Sequence, residues 1–285
     1  MAIYVHFFRD SNLEKIDFTK VMDFFETLPN FKIYYTEDEV QIDYRDDDFK
    51  FSYRYLITKK SRVSQIYKLD PRFLNINFLL ELPVLIPSFL VKEILTITQK
   101  VCKLFDLHIY SDGLTNVQPF NLADLVVLFE ESRRQMIEEY GIKDKLPYPK
   151  EKLDVVCRYQ RSIESVREYF QGKVEVHLVE AIIDIDRDEY GIAYSWNVGQ
   201  PTVFPPHLDY VYVKEEQNLP FIIRRNDFFA LLNKHLTEIV NFLPDMYIIK
   251  PKQAKRARKL INKLRKVSIG TENFKSVRLA NLLDI

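Results

Sequence analysis

Apolar and polar positions follow two different periods along the first 110 residues. After a β-rich opening run at 2–8, the apolar positions Phe18, Val21, Met22, Phe25 and Leu28 recur at helical spacing behind Asp17 or Thr19 as the cap. Period two then takes over. Phe31, Ile33 and Tyr35, then Val40, Ile42 and Tyr44, then Phe49, Phe51, Tyr53 and Tyr55 share one face. Lys32, Gln41, Asp43, Lys50, Ser52 and Arg54 occupy the other. The breaks at 36–39 and 46–48 are short and polar, which predicts an antiparallel meander. A further strand is expected at 75–82. Ser88 then opens a helix with Leu90, Ile94, Ile97, Val101, Leu104 and Phe105 as its buried stripe, and 107–110 returns as a strand. The order predicts a split β-α-β sandwich of the α+β class, ferredoxin-like in flavour.

The middle of the chain reads as helical. Asn121 starts one helix that Gly141 ends, and a second runs from about 151 to 171 before Gly172. Between them, 143–150 carries Pro147 and Pro149 and is the best linker. The remainder is mixed again. A long β run is expected at 174–185 with a bulge near Leu178 and Val179, and its partner strand alternates through Ile192, Tyr194, Trp196 and Val198. Short strands follow at 209–213 and 221–224, then a helix capped by Asn226 and running to about 240, then a strand at 246–249. The expected organisation is an N-terminal α+β lobe at 1–115, a helical connector at 116–172, and a C-terminal α+β lobe at 173–285. Both lobes should hold mainly antiparallel sheets.

Composition changes the picture in three places. The chain has 285 residues, of which 47% are hydrophobic and 29% charged, so disorder, collagen and disulfide scaffolds are excluded. Only six residues are glycine, which leaves little material for loops that cradle phosphates. The formal net charge is zero, yet residues 250–285 hold eleven basic residues against Glu272 and Asp284, a local net of +9. The apolar stretch at 78–91 is interrupted by Glu81, Pro83 and Pro87 and is too short for a bilayer. The first eleven residues lack the pattern of a secretory signal, so a cytoplasmic location is expected. Heavy use of Ile, Lys, Tyr, Phe and Asn suggests an AT-rich, bacterial genome.

Candidate chemistry is sparse. Asp184, Asp186 and Asp188 at a strand end are the fallback candidates for a metal, because alternate carboxylates on a strand share a face. A calcium loop fails there, since Glu189 stands where glycine is needed and Ser195 where a bidentate Glu should be. An Asp-rich hairpin turn is the preferred reading. None of His6, His108, His177, His207 and His235 pairs with another at i, i+4, and only His207 with Asp209 suggests a local acid–base pair. Cys102 and Cys157 fit apolar helix faces, and no nucleophile elbow or P-loop occurs. The aromatic meander is read as core rather than as a base-stacking surface.

One segment rises above this background. Lys252, Lys255, Arg256, Arg258, Lys259, Lys263, Arg265 and Lys266 crowd a helix from 250 to 267 whose apolar positions form a narrow stripe through Ala254, Ala257, Leu260, Ile261 and Leu264. These cations are the expected partner-binding residues, set against neutralisation by the acidic remainder of the chain. The expected protein is a non-catalytic binding or adaptor protein with no cofactor. A protein partner is expected first, nucleic acid is the alternative, and an anionic membrane surface stands behind both. A metal-dependent transferase or hydrolase centred on Asp184 and Asp186 is the third reading.

Overall fold

A computed structural model describes residues 2–142, 144–269, 271 and 274–285. It is a mixed α+β protein with mostly antiparallel sheets, and the chain divides into two compact units between Leu146 and Pro147.

In the N-terminal unit the elements run β1 (Ala2–Asp10), α1 (Phe18–Glu26), β2 (Phe31–Tyr35), β3 (Glu39–Asp46), β4 (Phe51–Thr58), β5 (Phe73–Pro83), α2 (Ser88–Leu104), β6 (Leu107–Tyr110), β7 (Gln118–Pro119) and α3 (Leu122–Tyr140). The sheet order is β2-β3-β4-β5-β1-β6-β7, antiparallel throughout. Strands β5 and β6 flank β1 and are joined by α2, which makes the split β-α-β arrangement. Asp17 accepts the Thr19 N–H and Asn121 the Ala123 N–H, so both helices carry the caps the sequence offered.

Rings fill this core. Phe7 stacks on Phe78 at 4.6 Å, and Phe25 of α1 meets Tyr55 at 4.8 Å and Phe31 at 5.0 Å. Tyr55 also shares a 2.9 Å hydrogen bond with Thr98 of α2. Three positions depart from the predicted stripes. Tyr35 is 68% exposed on β2, the outermost strand, and only its hydroxyl reaches α1, at Met22 Sδ 3.4 Å away. Leu104 is exposed in the final turn of α2, and Ile97 is half-buried while Ile94 and Val101 are buried.

The chain enters the C-terminal unit through a two-residue strand, β8 (Leu146–Pro147). There follow α4 (Lys150–Tyr169), β9 (Glu180–Asp184), β10 (Glu189–Asn197), β11 (Thr202–Phe204), β12 (Tyr210–Lys214), β13 (Phe221–Arg224), α5 (Arg225–Leu232), β14 (Leu236–Glu238) and β15 (Tyr247–Ile249). The unit ends with α6 (Pro251–Ala257), α7 (Ile261–Lys266), β16 (Phe274–Val277) and β17 (Leu282–Leu283). One sheet is ordered β13-β12-β10-β9-β16 with β10 and β12 parallel, and a smaller one β11-β15-β14. Trp196 and Phe204 pack on Phe228 of α5, each at 5.3 Å.

The long β run expected at 174–185 is a strand only over Glu180–Asp184. Side chains take up the backbone groups that a ladder would otherwise use. Arg167 donates to the Val176 carbonyl, the Tyr194 hydroxyl accepts the His177 N–H, and Gln160 accepts the Val179 N–H. The helix expected to reach 240 ends at Leu232, and Leu236–Glu238 pairs with β15 instead. Asn226 does not cap it. The N-cap is Arg224, without a side-chain bond. Nine non-glycine residues of the described chain adopt positive φ, among them Lys50, Gln65, Gln171, Asp188, His207 and Asp245.

Candidate functional site

The cationic segment begins at Pro251, whose fixed φ suits the first helical position. It is not one continuous helix. A 3-10 turn at Arg258–Leu260 separates α6 from α7. Like charges at Lys252, Lys255, Lys259, Lys263 and Lys266 recur three and four apart, which opposes regular winding. The segment is held by its small and apolar edge. Ala254, Ala257 and Leu264 are fully buried, whereas Leu260 and Ile261, expected to be buried with Leu264, are half-buried. Alanine at 254 and 257 lets the backbone approach closely, and this moves the anchoring contact towards the start of the segment.

All eight predicted cations are exposed. Arg265 alone among them forms an ion pair within the described residues, with Glu215, and its guanidinium also lies 5.1 Å from the Phe221 ring centre. Lys252, Lys255, Arg256, Arg258, Lys259, Lys263 and Lys266 reach no carboxylate among the described residues. Glu272 lies outside the described residues.

The acidic candidates are arranged otherwise than expected. Strand β9 stops at Asp184, so Asp184 and Asp186 do not share a strand face. Asp184 is buried and its carboxylate accepts the Asp186 and Arg187 N–H groups at 3.1 and 3.4 Å, closing the turn before β10. Asp186 and Asp188 are exposed. Among the described residues no group of three or more His, Cys, Asp and Glu side chains converges as a metal site. Cys102 and Cys157 are buried and unpaired as disulfides, and burial pushes the Cys102 thiol up to about 12.

Sequence reasoning set His207 and Asp209 side by side, and the structure puts them in a cleft of 590 Å³ within the C-terminal unit. The cleft opens where β10 and β12 begin and β13 passes into α5. Asp209 is a fastening point: its Oδ2 accepts the Tyr148 hydroxyl and the Ile192 N–H, both at 2.8 Å. Gly191 makes this possible, since a Cβ there would lie 2.6 Å from that oxygen. Burial and then the Asp209 charge hold the Tyr148 hydroxyl far above its ordinary range. Arg224 pairs with Glu189 at 2.8 Å and Arg225 with Asp245 at 2.9 Å. Arg225 also covers the Phe229 ring at 4.3 Å. Neither arginine was singled out in the sequence, because their acidic partners lie 35 and 20 residues away and no local spacing marks them.

No helix among the described residues is long and apolar enough to cross a membrane. No protein-family model matches the chain, and no curated protein or solved structure is significantly similar to it.

Proposed function

We propose that the protein is a binding or adaptor protein that holds an anionic macromolecule on the segment 250–267. The observation that carries this reading is that seven of its cations stay solvated and without a carboxylate among the described residues, while its apolar edge is buried. Unpaired surface cations add little to folding, so their density needs an external counter-charge. The buried edge also weighs against a bilayer, since Ala254, Ala257 and Leu264 leave no continuous apolar face to insert. An acidic protein surface is the first partner.

A phosphate backbone is the second reading, favoured by the length of the array: the helical turns from Pro251 to Lys266, at 1.5 Å per residue, span roughly 24 Å. Four or five cations engaging phosphates would give a log–log salt slope of about −4 on duplex DNA. The test is a salt titration of the full chain with duplex DNA, RNA and an acidic polypeptide, repeated with Arg258→Glu/Lys259→Glu. Expected are salt-dependent binding that the reversal weakens on every sequence alike, and a folding stability unchanged within about 0.5 kcal/mol. Lost stability with no binding to any polyanion refutes the reading.

A further inference from the structure

The cleft beside α5 carries charge of both signs in an arrangement that the cationic segment does not explain. Its permanent cations are Lys152, Arg224 and Arg225, and its carboxylates are Asp188, Glu189, Asp209 and Asp245. Two of each cancel in the Arg224–Glu189 and Arg225–Asp245 pairs. What remains is Lys152 together with Asp188 and Asp209. Asp209 spends Oδ2 on two donors, and its Oδ1 has no hydrogen bond among the described residues. At the start of α5 the Arg225 N–H donates to the Asp209 carbonyl at 2.9 Å, and no side-chain cap reaches the next N–H, at Asn226.

The backbone supports a built site. Asp188, His207 and Asp245 all line this cleft, and all adopt the left-handed region, with φ of 50°, 55° and 63°. Three such residues around one cavity mean that the fold holds these loops in a costly shape. The volume of 590 Å³ lies in the range of small-molecule sites.

We infer that this cleft binds a small zwitterion of the amino-acid or short-peptide class, with its ammonium on Asp188 and Asp209 and its carboxylate on Lys152 and the start of α5. The near-neutral balance of the lining selects this class. With the two ion pairs set aside, a phosphate dianion meets Asp188 and Asp209 and a divalent cation meets Lys152, whereas a ligand with one charge of each sign gains at both ends.

The experiment is calorimetric titration of the full chain with glycine, glutamate, lysine and diglycine at millimolar concentration. Acetate, methylammonium, inorganic phosphate and magnesium serve as single-charge controls. At least one zwitterion should bind while the controls do not. Lys152→Ala and Asp188→Asn, in which asparagine keeps the left-handed backbone at 188, should each weaken that binding about tenfold. Both residues are exposed, so the variants should keep the parent unfolding midpoint, which checks that the loss is local. Acetate or phosphate binding as well as the zwitterions, no binding by any zwitterion, or variants that bind like the parent would each overturn the inference.

Discussion

The two units fill their cores with rings of similar size but use them differently. In the N-terminal unit Phe7, Phe25, Phe31, Tyr55 and Phe78 meet mainly each other, and the hydroxyl of buried Tyr53 has no hydrogen-bond partner among the described residues. In the C-terminal unit the buried rings also carry hydrogen bonds. Tyr194 accepts the His177 N–H at 2.8 Å and shares a 3.2 Å bond with Tyr159, whose hydroxyl donates to the His177 carbonyl. The first core rests mainly on packing, with the Tyr55–Thr98 hydrogen bond at 2.9 Å added to it. The second uses side chains to satisfy the backbone at 176–179, beyond the Glu175–Thr202 bridge, so its polar atoms are structural.

The comparison can be broken most forcefully at Phe78. Phe78→Ala removes the centre of the ring stack and should cost about 3–5 kcal/mol, read from denaturant unfolding of the full chain. A loss below 1 kcal/mol would mean that the stack is not the core. Next, Tyr194→Phe keeps the ring but orphans the His177 N–H, and should cost about 1–3 kcal/mol. The equivalent change in the other unit, Tyr53→Phe, deletes a hydroxyl that burial already penalises. It should be neutral or stabilising by up to about 1 kcal/mol. Equal losses in the two tyrosine variants would erase the distinction.

The smallest expected effect is one of pH. His6 is buried on β1, and desolvation lowers its pKa from 6.5, outweighing the Asp112 charge that raises it and adding to the Arg62 charge that also lowers it. Below 6.5 the unfolded chain takes up a proton that the folded unit resists. The stability linked to neutral His6 is therefore full above 6.5 and is lost as pH falls towards and through the lower folded value. Comparing the unfolding midpoints of the parent and His6→Gln at about pH 7.5 and pH 5 isolates it, and the parent should lose more on acidification. A larger loss in the variant would reverse the sign.

The same contrast decides what the sequence could tell. The meander and α2 were legible because one face of each is packed, so period two and period 3.6 survive in the residue order. The stretch at 174–179 looked like strand because its residues are β-prone, but past a single bridge from Glu175 to Thr202 its hydrogen bonds go to Arg167, Gln160 and Tyr194, which no local pattern announces. Helix α5 ran short because Thr237 and Ile239 follow Leu232, and β-branched residues pair more readily than they wind. The cationic segment was visible as composition, while the break at 258–260 and the anchoring by Ala254 and Ala257 were not. In the cleft, His207 and Asp209 could be found from two residues of spacing. Arg224, Arg225 and Lys152 could not, since only the fold brings them there.

The left-handed backbone at residues other than glycine leaves a reserve for thermostabilisation. Lys50, Gln65 and Gln171, with φ of 56°, 51° and 52°, sit in turns, belong to neither candidate site and carry a steric penalty that glycine would not. Glycine at each exchanges about 1 kcal/mol of steric penalty for a smaller rise in chain entropy of the unfolded state, a net of a few tenths of a kcal/mol per site. Combined, such changes raise the temperature at which the chain unfolds; Lys50→Gly also removes a charge, from an exposed 4.0 Å contact with Asp47 that adds little to stability. The same substitution at His207 would instead loosen a loop that lines the cleft, so the tolerated and the damaging glycines separate scaffold from binding surface.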